Sequence, residues 1–85
     1  MQRIAVFPGS FDPLTLGHVD IINRGLSVFD NIIIGIGNNA EKKYMFPLKE
    51  REEWIKKTFA GEPRIIVKSY HGLTVDFCKS VNAGF

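Results

Sequence analysis

The sequence predicts an α/β fold, a Rossmann-like parallel sheet built from three βα units. Three observations carry this. Apolar runs of strand length recur three times, each is followed by a stretch with helical spacing, and the connections are short. Strands joined through helices run parallel, and right-handed crossovers set them in spatial order 3-2-1. Residues 1–85 therefore read as a single domain and as one half of a doubly wound sheet.

The first strand is the apolar run over residues 3–7, ended by Pro8-Gly9. From Thr15, apolar residues recur at Val19, Ile22, Leu26 and Phe29, the one-sided spacing of a helix. Thr15 is the expected N-cap, which puts Leu16, Gly17 and His18 in the first turn. Residues 31–36 are β-branched at four of six positions, as in a strand buried on both faces. Residues 37–45 are polar and read as a loop. Leu48, Glu52, Ile55 and Phe59 mark the second helix, with Glu52–Lys56 and Glu53–Lys57 spaced to pair on its wet side. Residues 61–63 break it, residues 64–70 form the third strand, and residues 73–81 the third helix, closed by Asn82 and Gly84. Phe85, apolar after a helix-ending glycine, is expected to open a fourth strand, so the chain reads as truncated before it. The first strand would then keep an uncovered apolar edge, which favours self-association.

Composition narrows the function classes. With 45% hydrophobic and 24% charged residues, the chain has the make-up of an ordinary soluble protein. The net charge of +2 comes from scattered Lys and Arg, mostly alternating with Glu, which argues against nucleic-acid binding. A single cysteine, Cys78, excludes an internal disulfide and suits a reducing compartment. No leader pattern and no apolar run of membrane-spanning length is visible, so a cytoplasmic location is expected and no membrane partner.

The chemistry concentrates between the first strand and the first helix, in Gly9-Ser10-Phe11-Asp12-Pro13-Leu14-Thr15-Leu16-Gly17-His18. A strand, a small-residue turn and a helix beginning with Gly17 and His18 make an anion site, because backbone N–H groups and the positive end of the helix dipole converge there. Gly17 lets a phosphate approach, and a neutral imidazole at His18 can donate one N–H to it. Ser10 faces the same helix end, whereas Asp12 and Pro13 read as shaping the turn. Lys42 and Lys43 lie in the loop after the second strand, at the carboxyl edge of the sheet where ligands gather. Thr74, at the start of the third helix, reads equally as an N-cap.

The segment resembles the nucleotidyltransferase superfamily marked by H-x-G-H or T-x-G-H at the start of the first helix, here Thr15-Leu16-Gly17-His18. It looks most like the bacterial phosphopantetheine adenylyltransferase family, through Pro8-Gly9-Ser10-Phe11-Asp12-Pro13-Leu14-Thr15 with Gly17-His18, and through Lys42-Lys43 with Met45-Phe46. The resemblance covers essentially all 85 residues but only about the first half of that family's usual length. It implies transfer of AMP from ATP to 4′-phosphopantetheine, giving dephospho-coenzyme A and pyrophosphate. It makes His18 the catalytic residue at the α-phosphate, and gives ATP contacts to Ser10, Phe11 and His18. Ser10, Lys42 and Thr74 are assigned to the second substrate, with Lys42 bridging the two substrates' phosphates. Mg²⁺ is expected to arrive with the ATP, with no metal held by protein ligands, and the full-length family implies a homo-oligomer, a hexamer.

The family's later Arg-Gly-x-Arg stretch and Ser/Thr-rich triphosphate loop do not occur in these residues, so the 85-residue chain alone is expected to bind ATP weakly and turn over little. The rival enzymes are cytidylyltransferases and mononucleotide adenylyltransferases, which characteristically carry His where this chain has Thr15. A different class of reading is a catalytically incompetent phosphate-binding fragment that self-associates. Gly35-Ile36-Gly37-Asn38-Asn39-Ala40 fits a dinucleotide pattern, but a polar loop follows it instead of a helix. Cys78 is expected on a core face of the third helix with Thr74 and Val81, and His71 and Trp54 in surface and packing roles.

Overall fold

A computed structural model describes residues 2–39, 42–81 and 83–84. Three parallel strands, β1 (Ile4–Gly9), β2 (Asn31–Gly37) and β3 (Ile65–Tyr70), form one sheet in the order β1-β2-β3. Three helices follow them in turn: α1 (Leu16–Gly25), α2 (Leu48–Thr58) and α3 (Thr74–Ser80). The expected order, 3-2-1, is this one counted from the opposite edge. The register sets Gly9 beside Ile36 and Gly37 beside Tyr70, so the carboxyl ends of all three strands form one level edge.

β2 is the centre of the molecule. Side chains alternate faces along a strand, so Ile32, Ile34 and Ile36 point one way and Ile33 and Gly35 the other. The first set joins Phe11, Ile22 of α1, and Ile55 and Phe59 of α2 in the hydrophobic core. On the opposite face, Phe77 of α3 lies over Gly35, where an added Cβ would come within 2.6 Å of its ring. The Phe77 ring stacks on Tyr70, with centroids 4.3 Å apart. Helices thus cover both faces, α1 and α2 on one and α3 on the other.

Several boundaries differ from the sequence reading. β1 continues through Pro8-Gly9, which face Gly35 and Ile36 of β2 on one side and the outer edge of the sheet on the other. The Ile4 carbonyl accepts from Gly84 N–H rather than from β2, so by alternation the nitrogen of Pro8 also faces that outer edge and costs no ladder bond. The same bond brings the chain after α3 back alongside β1, although Asn82 and Phe85, the expected helix stop and strand start, lie outside the described residues. α1 ends at Gly25, a turn before Phe29, and there a Cβ would come within 2.9 Å of Ile32. α2 buries Arg51 and Ile55, so the inward stripe runs through Arg51, not Glu52. Among the described residues the ion pairs are Asp20–Arg24 and Glu62–Arg64, not the expected ones on α2; exposed long side chains gain too little from pairing to be held together. α3 buries Phe77, while Cys78 is only half-buried and Thr74 exposed.

Candidate active site

The carboxyl edge of the sheet gathers the β1–α1 turn, the β2–α2 loop and the β3–α3 turn. In the first of these, Phe11 adopts φ 49°, a left-handed conformation that a non-glycine residue keeps only when its surroundings fix it. Burial fixes it: the Phe11 ring is 2% exposed and lies in the core cluster. Gly9 makes room, since a Cβ there would stand 3.2 Å from that ring. The ring expected beside a nucleotide is therefore inside the protein. Ser10 next to it is exposed.

Thr15 is the N-cap of α1, as expected, and the cap is reciprocal. Its hydroxyl accepts from the His18 N–H at 3.3 Å, and the Thr15 N–H donates to His18 Nδ1 at 3.0 Å. A main-chain N–H can only donate, so Nδ1 presents its lone pair and the neutral ring carries its proton on Nε2. Phe11 and Phe7 support the ring edge-on, with centroids 5.0 and 6.3 Å away. The imidazole is thus locked in rotamer and tautomer by its own helix end. One N–H donor remains, directed away from the cap.

Gly17 lies in the same first turn. A Cβ at this position would meet only Thr15 Oγ1, at 3.7 Å. Among the described residues no packing requires glycine at this exposed helical site, where glycine is less favourable than alanine by roughly 0.5–1 kcal/mol. A ligand that must touch the backbone would require it. If a phosphate ligand sits here, Gly17→Ala should leave thermal stability unchanged or slightly raised while affinity for that ligand falls about tenfold or more, a loss of ~1.4 kcal/mol; differential scanning calorimetry and titration calorimetry with ATP as the probe check the two halves.

The second loop is fastened to the first. Both Asp12 carboxylate oxygens accept main-chain N–H bonds, one from Met45 and one from Phe46, the latter at 2.7 Å. Asp12 shapes this junction, in keeping with its expected structural role. Lys42 is exposed in that loop, and its own N–H donates to the Asn39 carbonyl at 3.0 Å. Tyr44 Oη accepts from the Asn39 N–H at 2.7 Å, which folds the loop over itself. Lys42 and the His18 helix end therefore lie on two loops joined by Asp12.

The third turn completes the edge. A cleft of about 400 Å³ is lined by Asn38, Asn39, His71, Gly72 and Leu73. His71 is not partnerless: its Nδ1–H donates to the Asn38 carbonyl at 2.7 Å. Leu73, not Thr74, is the N-cap of α3, with no side-chain cap bond, so the capping role read for Thr74 does not hold. The Thr74 hydroxyl instead lies 2.8 Å from Tyr70 Oη beside the cleft. Trp54 packs edge-on against Phe46, as a packing role requires.

The residue that the sequence reading missed is Arg51, 1% exposed, which bonds Ser10 and Asn38 across these loops. Its partners lie up to 41 residues away in sequence, and its spacing from Leu48 and Ile55 was the only available signal.

This geometry has known counterparts. Residues 6–85 match the family described as cytidylyltransferase-like. The chain belongs to that family. Among the curated members, phosphopantetheine adenylyltransferase of Christiangramia forsetii is 63% identical over 84 residues, which is 99% of this chain and 56% of that protein. The chain spans about half the length of the curated relatives it matches. A crystal structure of NadR protein in complex with NAD and AMP-PNP superposes with TM-score 0.75 at 22% identity, over 86% of this chain and 21% of that one. A bifunctional NMN adenylyltransferase/ADP ribose pyrophosphatase from Francisella tularensis, complexed with AMP and a Mn ion, gives TM-score 0.70 at 24% identity over 93% of this chain and 25% of that one. Both share the fold of this chain. Among the described residues no three His, Cys, Asp or Glu come together, and no helix is long and apolar enough to cross a membrane.

Proposed function

We propose that the protein is an adenylyltransferase that moves AMP from ATP to 4′-phosphopantetheine, with His18 as its catalytic residue. The observation that carries this is the capped imidazole, whose Nδ1 is occupied by the Thr15 N–H and whose Nε2–H stands at the amino end of α1. The naming of 63%-identical relatives supports the choice of substrates.

In this reading a phosphate oxygen of phosphopantetheine attacks the α-phosphorus of ATP. A new P–O bond forms as the bond to the β-phosphate oxygen breaks, and pyrophosphate leaves. An ionised phosphate monoester is already nucleophilic, so the site needs no general base. Catalysis rests on positioning and on charge stabilisation. The Nε2–H of His18 bonds a non-bridging α-phosphate oxygen and strengthens as charge builds there. The Ser10 hydroxyl positions the attacking phosphate, and Lys42 lies as a point charge between the two substrates' phosphates. Main-chain N–H groups of Ser10 and Phe11 serve the ATP phosphates. Thr74, beside the cleft lined by His71 and Leu73, meets the pantetheine arm.

Mg²⁺ is carried on the ATP and held by its phosphates and water. The residues present fit that role, because the one carboxylate of the β1–α1 turn, Asp12, already accepts two main-chain bonds. The same reading makes the protein cytoplasmic and a homo-oligomer, a hexamer in the full-length family. Pyrophosphate release from the intact protein tests it. Release with ATP and phosphopantetheine, and none with CTP or with nicotinamide mononucleotide as acceptor, is expected. Preference for either alternative would overturn the substrate assignment.

A further inference from the structure

Arg51 carries an inference about how the site is held together. Its Nε–H donates to the Phe46 carbonyl at 3.0 Å, one Nη1–H to the Ser10 carbonyl at 2.9 Å, and one Nη2–H to Asn38 Oδ1 at 2.9 Å. The guanidinium also covers the Tyr44 ring, 4.1 Å from its centroid. These four partners come from the β1–α1 turn, the end of β2 and the β2–α2 loop. All four are neutral, and neither ion pair among the described residues includes Arg51. Among the described residues, therefore, a full positive charge is buried against dipoles alone. Burying an ion is costly even when every proton is bonded, and an apolar side chain would fill the same space without that cost. No other side chain offers a rigid planar fork that reaches three oxygens in three directions; a lysine ammonium is a single point.

We infer that Arg51 is a positioning residue for the phosphate site, holding the Ser10 turn and the Lys42 loop in one fixed relation and adding positive potential beneath them. The inference rests on the adenylyl-transfer reading for its catalytic consequence, and on geometry alone for the clamp itself. The Asp12 carboxylate fastens the same two loops by accepting from the Met45 and Phe46 N–H groups, so the loops would stay attached but lose their register when Arg51 is changed.

The test compares Arg51→Lys and Arg51→Met with wild type in the intact protein, at a temperature where all three are folded. Arg51→Lys keeps the charge and loses the fork. Its kcat should fall about 100-fold, a loss that an ångström's misplacement can cause, with KM for ATP within about threefold of wild type. Arg51→Met should lose at least as much in kcat, and its KM for ATP should rise about tenfold as the charge disappears. Amide hydrogen exchange in residues 9–12 and 42–47 should quicken in both variants, while β2 and β3 stay as protected as in wild type. A kcat for Arg51→Lys within twofold of wild type would overturn the inference, and so would loss of protection throughout the sheet. If wild type releases no pyrophosphate while loop exchange responds as expected, the clamp stands and adenylyl transfer fails.

Discussion

Replacing His18 by alanine should lower kcat by about 10²–10³-fold, the ~2.7–4 kcal/mol that a lost donor to a developing oxyanion typically costs. KM for ATP should change far less, because the bond from Nε2–H matters most when charge accumulates on the α-phosphate. The substitution also removes the Nδ1 acceptor of the Thr15 N–H, so one capping bond of α1 is lost with it. That loss is local: the other half of the cap, Thr15 Oγ1 accepting from the backbone N–H of residue 18, survives any side chain. His18→Gln separates the two contributions, since its amide can donate toward a phosphate without the imidazole's fixed direction. Steady-state kinetics on the three proteins, with circular dichroism to confirm helix content, checks the effect. Equal loss in ATP binding and in turnover would count against a transition-state role.

Ile34→Ala should produce the largest loss of stability of any single truncation in the sheet. Ile34 is 0% exposed, in the middle of the central strand, opposite Phe7 and Val67 on its two neighbours. Emptying such a position costs about 2–5 kcal/mol, depending on how far the surroundings collapse. Small domains carry only about 5–15 kcal/mol in all, so the folded population falls sharply. Val75→Ala, by contrast, truncates a side chain that is 56% exposed on α3 and should stay within about 0.5 kcal/mol of wild type. Urea unfolding of the pair with wild type gives both differences from one kind of measurement.

The element order was legible because each signal for it is local. Four of residues 31–36 are isoleucine, and the run becomes the central strand, buried on both faces at Ile32, Ile33, Ile34 and Ile36. The cap of α1 was legible at Thr15 because capping acts within three residues. What the sequence hid depends on distance. Arg51 and Glu52 fit the helical stripe of α2 equally well, and only partners on Phe46, Ser10 and Asn38 decide that Arg51 turns inward. Phe77 rather than Cys78 faces the sheet because Gly35 leaves a hollow that a ring fills and Tyr70 stacks on it. Thr74 is the first residue of α3 and not its cap, and its hydroxyl meets that of Tyr70 four residues earlier. At the candidate site, sequence singled out His18, Ser10 and Lys42 by residue type and order. Only the fold revealed that Asp12 and Arg51 bind the two loops together.

All of the chemistry proposed above requires the amino end of α1 to receive the nucleotide through the free nitrogen of one histidine. Long-range ¹H–¹⁵N spectra of the His18 imidazole during an ATP titration test that requirement. Nδ1 should give a pyridine-type shift and Nε2 a pyrrole-type shift before ATP is added, and saturating ATP should move the Nε2–H signal along with the amides of Ser10, Gly17 and His18. An imidazole of the opposite tautomer, or ATP shifts confined to other parts of the protein, would contradict it.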